Sequence, residues 1–153
     1  MTDKTTQKTL QVAKQMSQQN GLKFTTKRSN VLQLMLEAKK ALSAYDIVDD
    51  YSVQYQQKIS AVSVYRMLDF LINAGLVHKL SSNSQYIVCS HITCSHAHET
   101  PMLLICNNCH QVDEVAIGND LLPALKKSAA PSGFQLQNKQ LEFHGICKAC
   151  QEL

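Results

Sequence analysis

Four stretches in the first half of the chain repeat apolar residues at helical spacing. Leu10, Val12, Ala13 and Met16 mark the apolar side of a helix over 5–19. Asn20-Gly21 ends it, because glycine accepts the left-handed conformation at a helix C-terminus. Thr25 or Thr26 caps a second helix over 27–37, with Val31, Leu34 and Met35 facing inward. Ser43 caps a third over 44–53, carrying Ile47, Val48 and Tyr51. A fourth starts at Ser60 or Ser63 and runs to Ala74, with Val64, Leu68, Leu71 and Ile72 inward and Gly75 behind it as C-cap. After Gly75 the pattern changes. Two short strands, 76–80 and 85–89, flank the turn sequence Ser81-Ser82-Asn83-Ser84. Helices followed by a hairpin outline a winged helix, a helix-turn-helix variant whose last helix before the wing is the recognition helix.

The second half has a different texture. Residues 90–101 are rich in His, Cys and Ser and suit a hinge or ligand loop. The apolar run 102–106 predicts a strand, and 112–115 predicts its partner. Asn119 caps a helix through Leu121, Leu122 and Leu125 to Ala130, where Pro123 is tolerated in the first turn. Phe134, Leu136, Leu141 and Phe143 predict a further strand or pair of strands. The fold class is therefore α+β, a winged helix followed by a small α/β domain.

Charge sharpens this division. Residues 1–80 hold 11 Lys/Arg against 6 Asp/Glu, and residues 81–153 hold 4 against 6. A basic first half suits a polyanion such as DNA, with Ser63, Tyr65 and Arg66 near the start of the recognition helix and Lys23, Lys27 and Arg28 available to phosphates. No run approaches the ~20 apolar residues of a membrane helix, and the polar N-terminus carries no signal core, so a cytoplasmic protein without a membrane partner is expected.

All six cysteines fall in the second half. In a cytoplasmic chain this favours metal over disulfide. Cys106-Asn-Asn-Cys109 and Cys147-Lys-Ala-Cys150 are two C-x-x-C knuckles separated by 37 residues. Two knuckles give a closed tetrahedral four-thiolate site, the preferred structural zinc geometry, whereas a redox motif needs one pair only. A second set gathers at the domain boundary. His78 and Cys89 lie on the two wing strands, His98 in the loop that follows and Glu114 beyond the first knuckle; His96 is the alternative to His98. Such a mixed N/S/O set binds zinc less rigidly and bridges the two halves, as a sensor requires. His91 and Cys94 lie near enough to serve a third site.

The runs Thr25-Thr26-Lys27-Arg28, Leu42-Ser43-Ala44-Tyr45-Asp46, Val62-Ser63-Val64-Tyr65-Arg66-Met67-Leu68, Gly75-Leu76-Val77-His78-Lys79-Leu80 and Ile105-Cys106-Asn107-Asn108-Cys109 are joined by Glu142-Phe143-His144-Gly145-Ile146-Cys147-Lys148-Ala149-Cys150. Together they resemble the ferric uptake regulator superfamily, and within it the zinc uptake regulator branch. The resemblance implies a homodimer. It implies a winged-helix DNA-binding domain over 1–84, a wing strand and hinge loop over 85–100, and a dimerisation domain with the four-cysteine zinc over 101–153. It also implies a regulatory zinc on His78, Cys89, Glu114 and His98 or His96, hence about two zinc ions per chain. Tyr45 resembles a DNA-contacting tyrosine of that branch, and a palindromic double-stranded operator is the implied partner. The thiolate of Cys89 favours zinc over iron or manganese, the metals of an alternative reading within the same superfamily.

Two readings from other classes are weaker. A zinc hydrolase needs an open metal position beside a placed acid or base, and the chain has no H-E-x-x-H unit; no enzyme is expected. A zinc-binding interaction module without a DNA role has no use for the basic winged-helix half.

Overall fold

The computed structural model describes residues 3–94, 100–137 and 140–153. The described residues up to 94 form one compact unit and those from 100 onward a second.

The first unit is built on α1 (Lys4–Gln19), α2 (Thr26–Ala38), α3 (Ala44–Tyr55) and α4 (Ala61–Asn73). Each of the last three helices begins where a hydroxyl satisfies a backbone donor that has no partner within the helix. Thr25, not Thr26, caps α2 by accepting from the Arg28 N–H. Ser60, not Ser63, caps α4 by accepting from the Ser63 N–H at 3.2 Å. Ser43 and Asp46 form a reciprocal box at α3: Ser43 Oγ accepts from the Asp46 N–H at 3.1 Å, and the Asp46 carboxylate accepts from the Ser43 N–H at 2.8 Å. At the end of α4, Gly75 takes φ +74°, which lets the Leu76 N–H reach back to the Leu71 carbonyl at 2.9 Å.

The buried face of α1 departs from the expectation. Of Leu10, Val12, Ala13 and Met16, only Ala13 is fully buried; the buried stripe is Thr6, Thr9, Ala13 and Ser17. Helix α1 packs against α2, and the three longer apolar residues pack half-buried against the core. Helix α3 runs two residues beyond the expected Val53, because Tyr55 packs on Tyr51 with ring centroids 4.8 Å apart and donates its hydroxyl to the Asn30 carbonyl.

Val31, Leu32, Ile47, Tyr51, Val64, Leu68 and Leu71 form the core that these helices share. The hairpin packs onto it. Strands β1 (Val77–Lys79) and β2 (Tyr86–Val88) are antiparallel with His78 opposite Ile87. They are shorter than the sequence pattern predicts, but their continuations stay bonded, Cys89 N–H to Leu76 carbonyl at 2.9 Å and Leu80 N–H to Gln85 carbonyl at 2.7 Å. Leu42, in the link before α3, exchanges both backbone bonds with Tyr86 at 3.0 and 2.8 Å and so adds a one-residue bridge alongside β2.

The second unit holds β3 (Pro101–Cys106), β4 (Val112–Ala116), α5 (Leu121–Ala129), β5 (Leu141–Gly145) and α6 (Lys148–Gln151). Its sheet has the order β4-β3-β5, with β4 antiparallel and β5 parallel to β3. Of the residues expected in a further strand or pair of strands, Leu141 and Phe143 lie in β5, and Phe134 and Leu136 lie outside any strand. Residues 130–134 instead close α5 through a 3-10 turn, with Gly133 left-handed and the Phe134 N–H donating to Ala129, so Phe134 is left exposed. Asn119 is not the cap of α5; Asp120 precedes the helix, and its side chain makes no capping bond. Leu103, Ile105, Ile117 and Leu141 are buried, whereas Leu104, Val115 and Phe143 are exposed. Among the described residues no helix is long and apolar enough to cross a membrane.

The α3 box gives a pH-dependent prediction. The Ser43 hydroxyl, then the Ser43 N–H, hold the Asp46 carboxyl below its usual range. The stabilisation is therefore present at neutral pH and lost as pH falls through that lowered value. Ser43→Ala should cost about 1 kcal/mol at pH 7 in urea unfolding followed by helical circular dichroism, and the deficit should shrink on acidification as Asp46 protonates.

Candidate metal centres and nucleic-acid interface

The parallel pairing of β3 with β5 sets Ile105 opposite His144 and Cys106 opposite Gly145. Both strands therefore end at the same edge of the sheet, and both C-x-x-C knuckles leave from that edge. Cys106 closes β3 and Cys109 follows one tight turn later, with His110 left-handed at φ +60° behind it. Cys147 precedes α6 and Cys150 lies within it. The Asn107 N–H donates to the Gly145 carbonyl at 2.8 Å, which ties the first knuckle to the second. The four sulfur atoms lie within 4.8 Å of one another, with Cys109 and Cys147 Sγ 3.6 Å apart, and all four cysteines are free of disulfide.

This cluster is polarised. Backbone N–H groups of Cys109, then of Cys147, point at Cys106 Sγ and hold its thiol down to about 6 against the opposing effect of burial. The Cys147 N–H lies 3.4 Å from that sulfur. Cys150 is pushed up to about 12, first by its hydrogen bond with the Cys147 thiol and then by burial. Cys109 is lowered by the Gln111 N–H, but the Cys106 and Cys147 sulfurs outweigh this and raise it. Backbone donors thus favour the thiolate at Cys106, while Cys109 and Cys150 are biased toward the protonated form. The donor set fits zinc, whose structural sites take four thiolates in a closed tetrahedron.

The second ligand set is divided between the units. His78 on β1 and Cys89 just past β2 are diagonal neighbours on one face of the hairpin, because His78 stands opposite Ile87. A ring nitrogen of His78 and the Cys89 sulfur lie within 4.8 Å of each other. Cys89 is buried, His78 half-buried, and the His91 N–H donates to the Cys89 sulfur at 3.4 Å. Glu114 is half-buried on β4 of the second unit, opposite Leu103. His96 and His98 lie outside the described residues. Of the extra loop ligands, Cys94 is exposed, and its N–H donates to the His91 carbonyl at 3.1 Å.

Comparison with known proteins agrees with this architecture. The sequence pattern of the ferric uptake regulator family matches residues 19–144. The chain belongs to the ferric uptake regulator family. A zinc uptake regulation protein of Escherichia coli (strain K12) is 37% identical over 151 residues, spanning 97% of this chain and 85% of that protein. A ferric uptake regulation protein of Staphylococcus epidermidis (strain ATCC 12228 / FDA PCI 1200) is 27% identical over 133 residues, spanning 87% and 89%. A solved structure of a zinc uptake regulator complexed with zinc and DNA superposes with a TM-score of 0.85 at 34% identity, covering 98% of this chain and 97% of that one.

In this member of the ferric uptake regulator family, the residues expected to face DNA separate into two groups. Tyr45 on the first turn of α3 is 66% exposed, and Tyr65 and Arg66 on α4 are exposed, as is Lys27. The side chains of Ser63 and Arg28 are engaged within the unit. Ser63 and Ser60 hydroxyls share a hydrogen bond at 2.9 Å. The Arg28 guanidinium sits 3.7 Å over the Phe70 ring and donates to the Lys23 carbonyl, clamping α2 to α4. Phe70 was not singled out by the sequence pattern as a functional residue, because a half-buried phenylalanine on a core helix carries no distinguishing signal.

The thiol states predict the proton balance of the four-cysteine site. In a His78→Ala, Cys89→Ala double variant, zinc binding at pH 7 should release about two or more protons per ion, drawn from Cys109 and Cys150 among others. Calorimetry in buffers of different ionisation enthalpy reads this number. Affinity should fall as pH is lowered, since protons then compete with zinc for the thiolates.

Proposed function

We propose that this chain is a zinc-responsive, DNA-binding transcription repressor that acts as a homodimer in the cytoplasm and controls genes of zinc acquisition. The observation that carries the reading is the pairing of His78 with Cys89 at the base of the wing, in addition to a separate and complete four-cysteine cluster. A protein that needed zinc only to fold would use one closed site. A second, softer pair placed on the hairpin of the DNA-binding unit couples metal to that unit. The identity with a zinc uptake regulation protein and the likeness to a zinc uptake regulator bound to zinc and DNA support the same reading.

Cys106, Cys109, Cys147 and Cys150 hold the structural ion. His78, Cys89, Glu114 and His98, with His96 as the alternative to His98, hold the regulatory ion. Bound zinc supplies a divalent Lewis acid that accepts thiolate, imidazole and carboxylate donors together. Because His78 and Cys89 belong to the first unit and Glu114 to the second, ligation by all three restrains the units relative to each other. Tyr45, Tyr65 and Arg66 present exposed side chains to the duplex and Lys27 to its phosphates; Ser63 and Arg28, whose side chains are engaged within the unit, hold the starts of α4 and α2 for that contact. The exposed apolar side chains Leu104, Val115 and Phe143 on the second unit give a second copy a surface to cover. A two-fold dimer presents two recognition helices to a palindrome.

The test is fluorescence anisotropy on a palindromic duplex selected from a random pool, with free Zn²⁺ buffered across several decades and Fe²⁺ and Mn²⁺ run in parallel. Zinc should raise DNA affinity about 100-fold. His78→Ala and Cys89→Ala should each abolish that rise while the dimer stays folded by sedimentation and circular dichroism. A retained zinc response in both variants would disprove the ligand assignment. A response to iron or manganese alone would place the chain in another branch of the family.

A further inference from the structure

Val62 is out of place by the ordinary rules of helix design. It sits on the first turn of α4 and is 61% exposed. An exposed β-branched residue in a helix gains nothing from packing and forms helix less readily than alanine. The buried face of α4 is Val64, Leu68 and Leu71. Val62 stands on the opposite face, together with the exposed Arg66 one turn later. The polar side chains of the same turn are already occupied, since the Ser60 hydroxyl caps the helix and bonds the Ser63 hydroxyl. A methyl-bearing side chain is therefore what the first turn of α4 offers outward.

We propose that Val62 is a specificity determinant that reads the C5-methyl group of a thymine in the major groove. This rests on the DNA-binding reading above and deepens it. Thymine is the base that displays a methyl group there, and apolar side chains recognise it by contact, while arginine pairs with the O6 and N7 edge of guanine. Val62 and Arg66 are four residues apart on one helix face, so their Cβ atoms lie about 5–6 Å from each other. Base pairs stack about 3.4 Å apart. The thymine read by Val62 therefore lies one or two base pairs from the guanine read by Arg66. The occupant of this surface is a polyanion, because the first 80 residues hold 11 Lys/Arg against 6 Asp/Glu and Lys27 and Arg66 are exposed.

The experiment uses the full-length zinc-loaded protein and the duplex it enriches from a random pool. Each thymine is replaced in turn by deoxyuridine, which removes the methyl group and keeps the base pair. Affinities are measured for the native chain and for Val62→Ala, a substitution that raises helix propensity at an exposed site and so keeps the fold. For the native chain, one deoxyuridine per half-site, near a guanine, should weaken binding about fourfold, the effect of one buried methyl group. Val62→Ala should lose the sensitivity at that position and keep it elsewhere. Identical deoxyuridine profiles for the two proteins would overturn the assignment of Val62 while leaving the repressor reading intact. Enrichment of no duplex at any zinc concentration would overturn both.

Discussion

The register of β3 against β5 is the constraint on which the second unit depends. Parallel strands point the same way, so pairing Cys106 with Gly145 brings two knuckles that are 37 residues apart to one edge of one sheet. Four sulfur atoms within 4.8 Å cannot all ionise without a cation among them. The thiols record this: Cys106 is held down by backbone donors, and Cys150 is pushed far up by its neighbours. The unit buries few large side chains of its own and leaves several exposed. A metal that ties β3, β5 and α6 together contributes what apolar burial in so small a domain does not.

In the first unit the corresponding device is made of backbone. Leu42 bonds to Tyr86 on both sides, Cys89 bonds to Leu76, and the hairpin is thereby fastened to the link before α3 and to the end of α4. His78 and Cys89 inherit their positions from this fastening. They meet because antiparallel register makes them diagonal neighbours, and they stay together because the strand ends are held by the same helices that carry Tyr45 and Arg66. His78, Cys89, Tyr45 and Arg66 thus belong to one packed body.

Much of this was legible in the sequence. The four helices, the hairpin, the β3–β4 pair and the two knuckles all follow from local signals: apolar periodicity, hydroxyl caps, Gly75, and cysteines two residues apart. Those signals act over a few residues, and a linear pattern contains them. Where the expectation missed, helix packing or a competing backbone bond decided. The buried face of α1 is Thr6, Thr9, Ala13 and Ser17, a stripe of small side chains that apolar periodicity does not mark. Phe134 has strand-forming character, but its N–H closes the end of α5 on the Ala129 carbonyl instead.

The sequence by itself determined which elements form, that thiols occur in two matched pairs, and that the basic charge gathers in the first half. Those properties are local or additive, and no fold is needed to read them. Only the tertiary structure decided that Arg28 is committed to Phe70 and that the buried stripe of α1 is Thr6, Thr9, Ala13 and Ser17. A side chain's direction depends on which competing contact wins, and the competitors come from elements far apart in the chain.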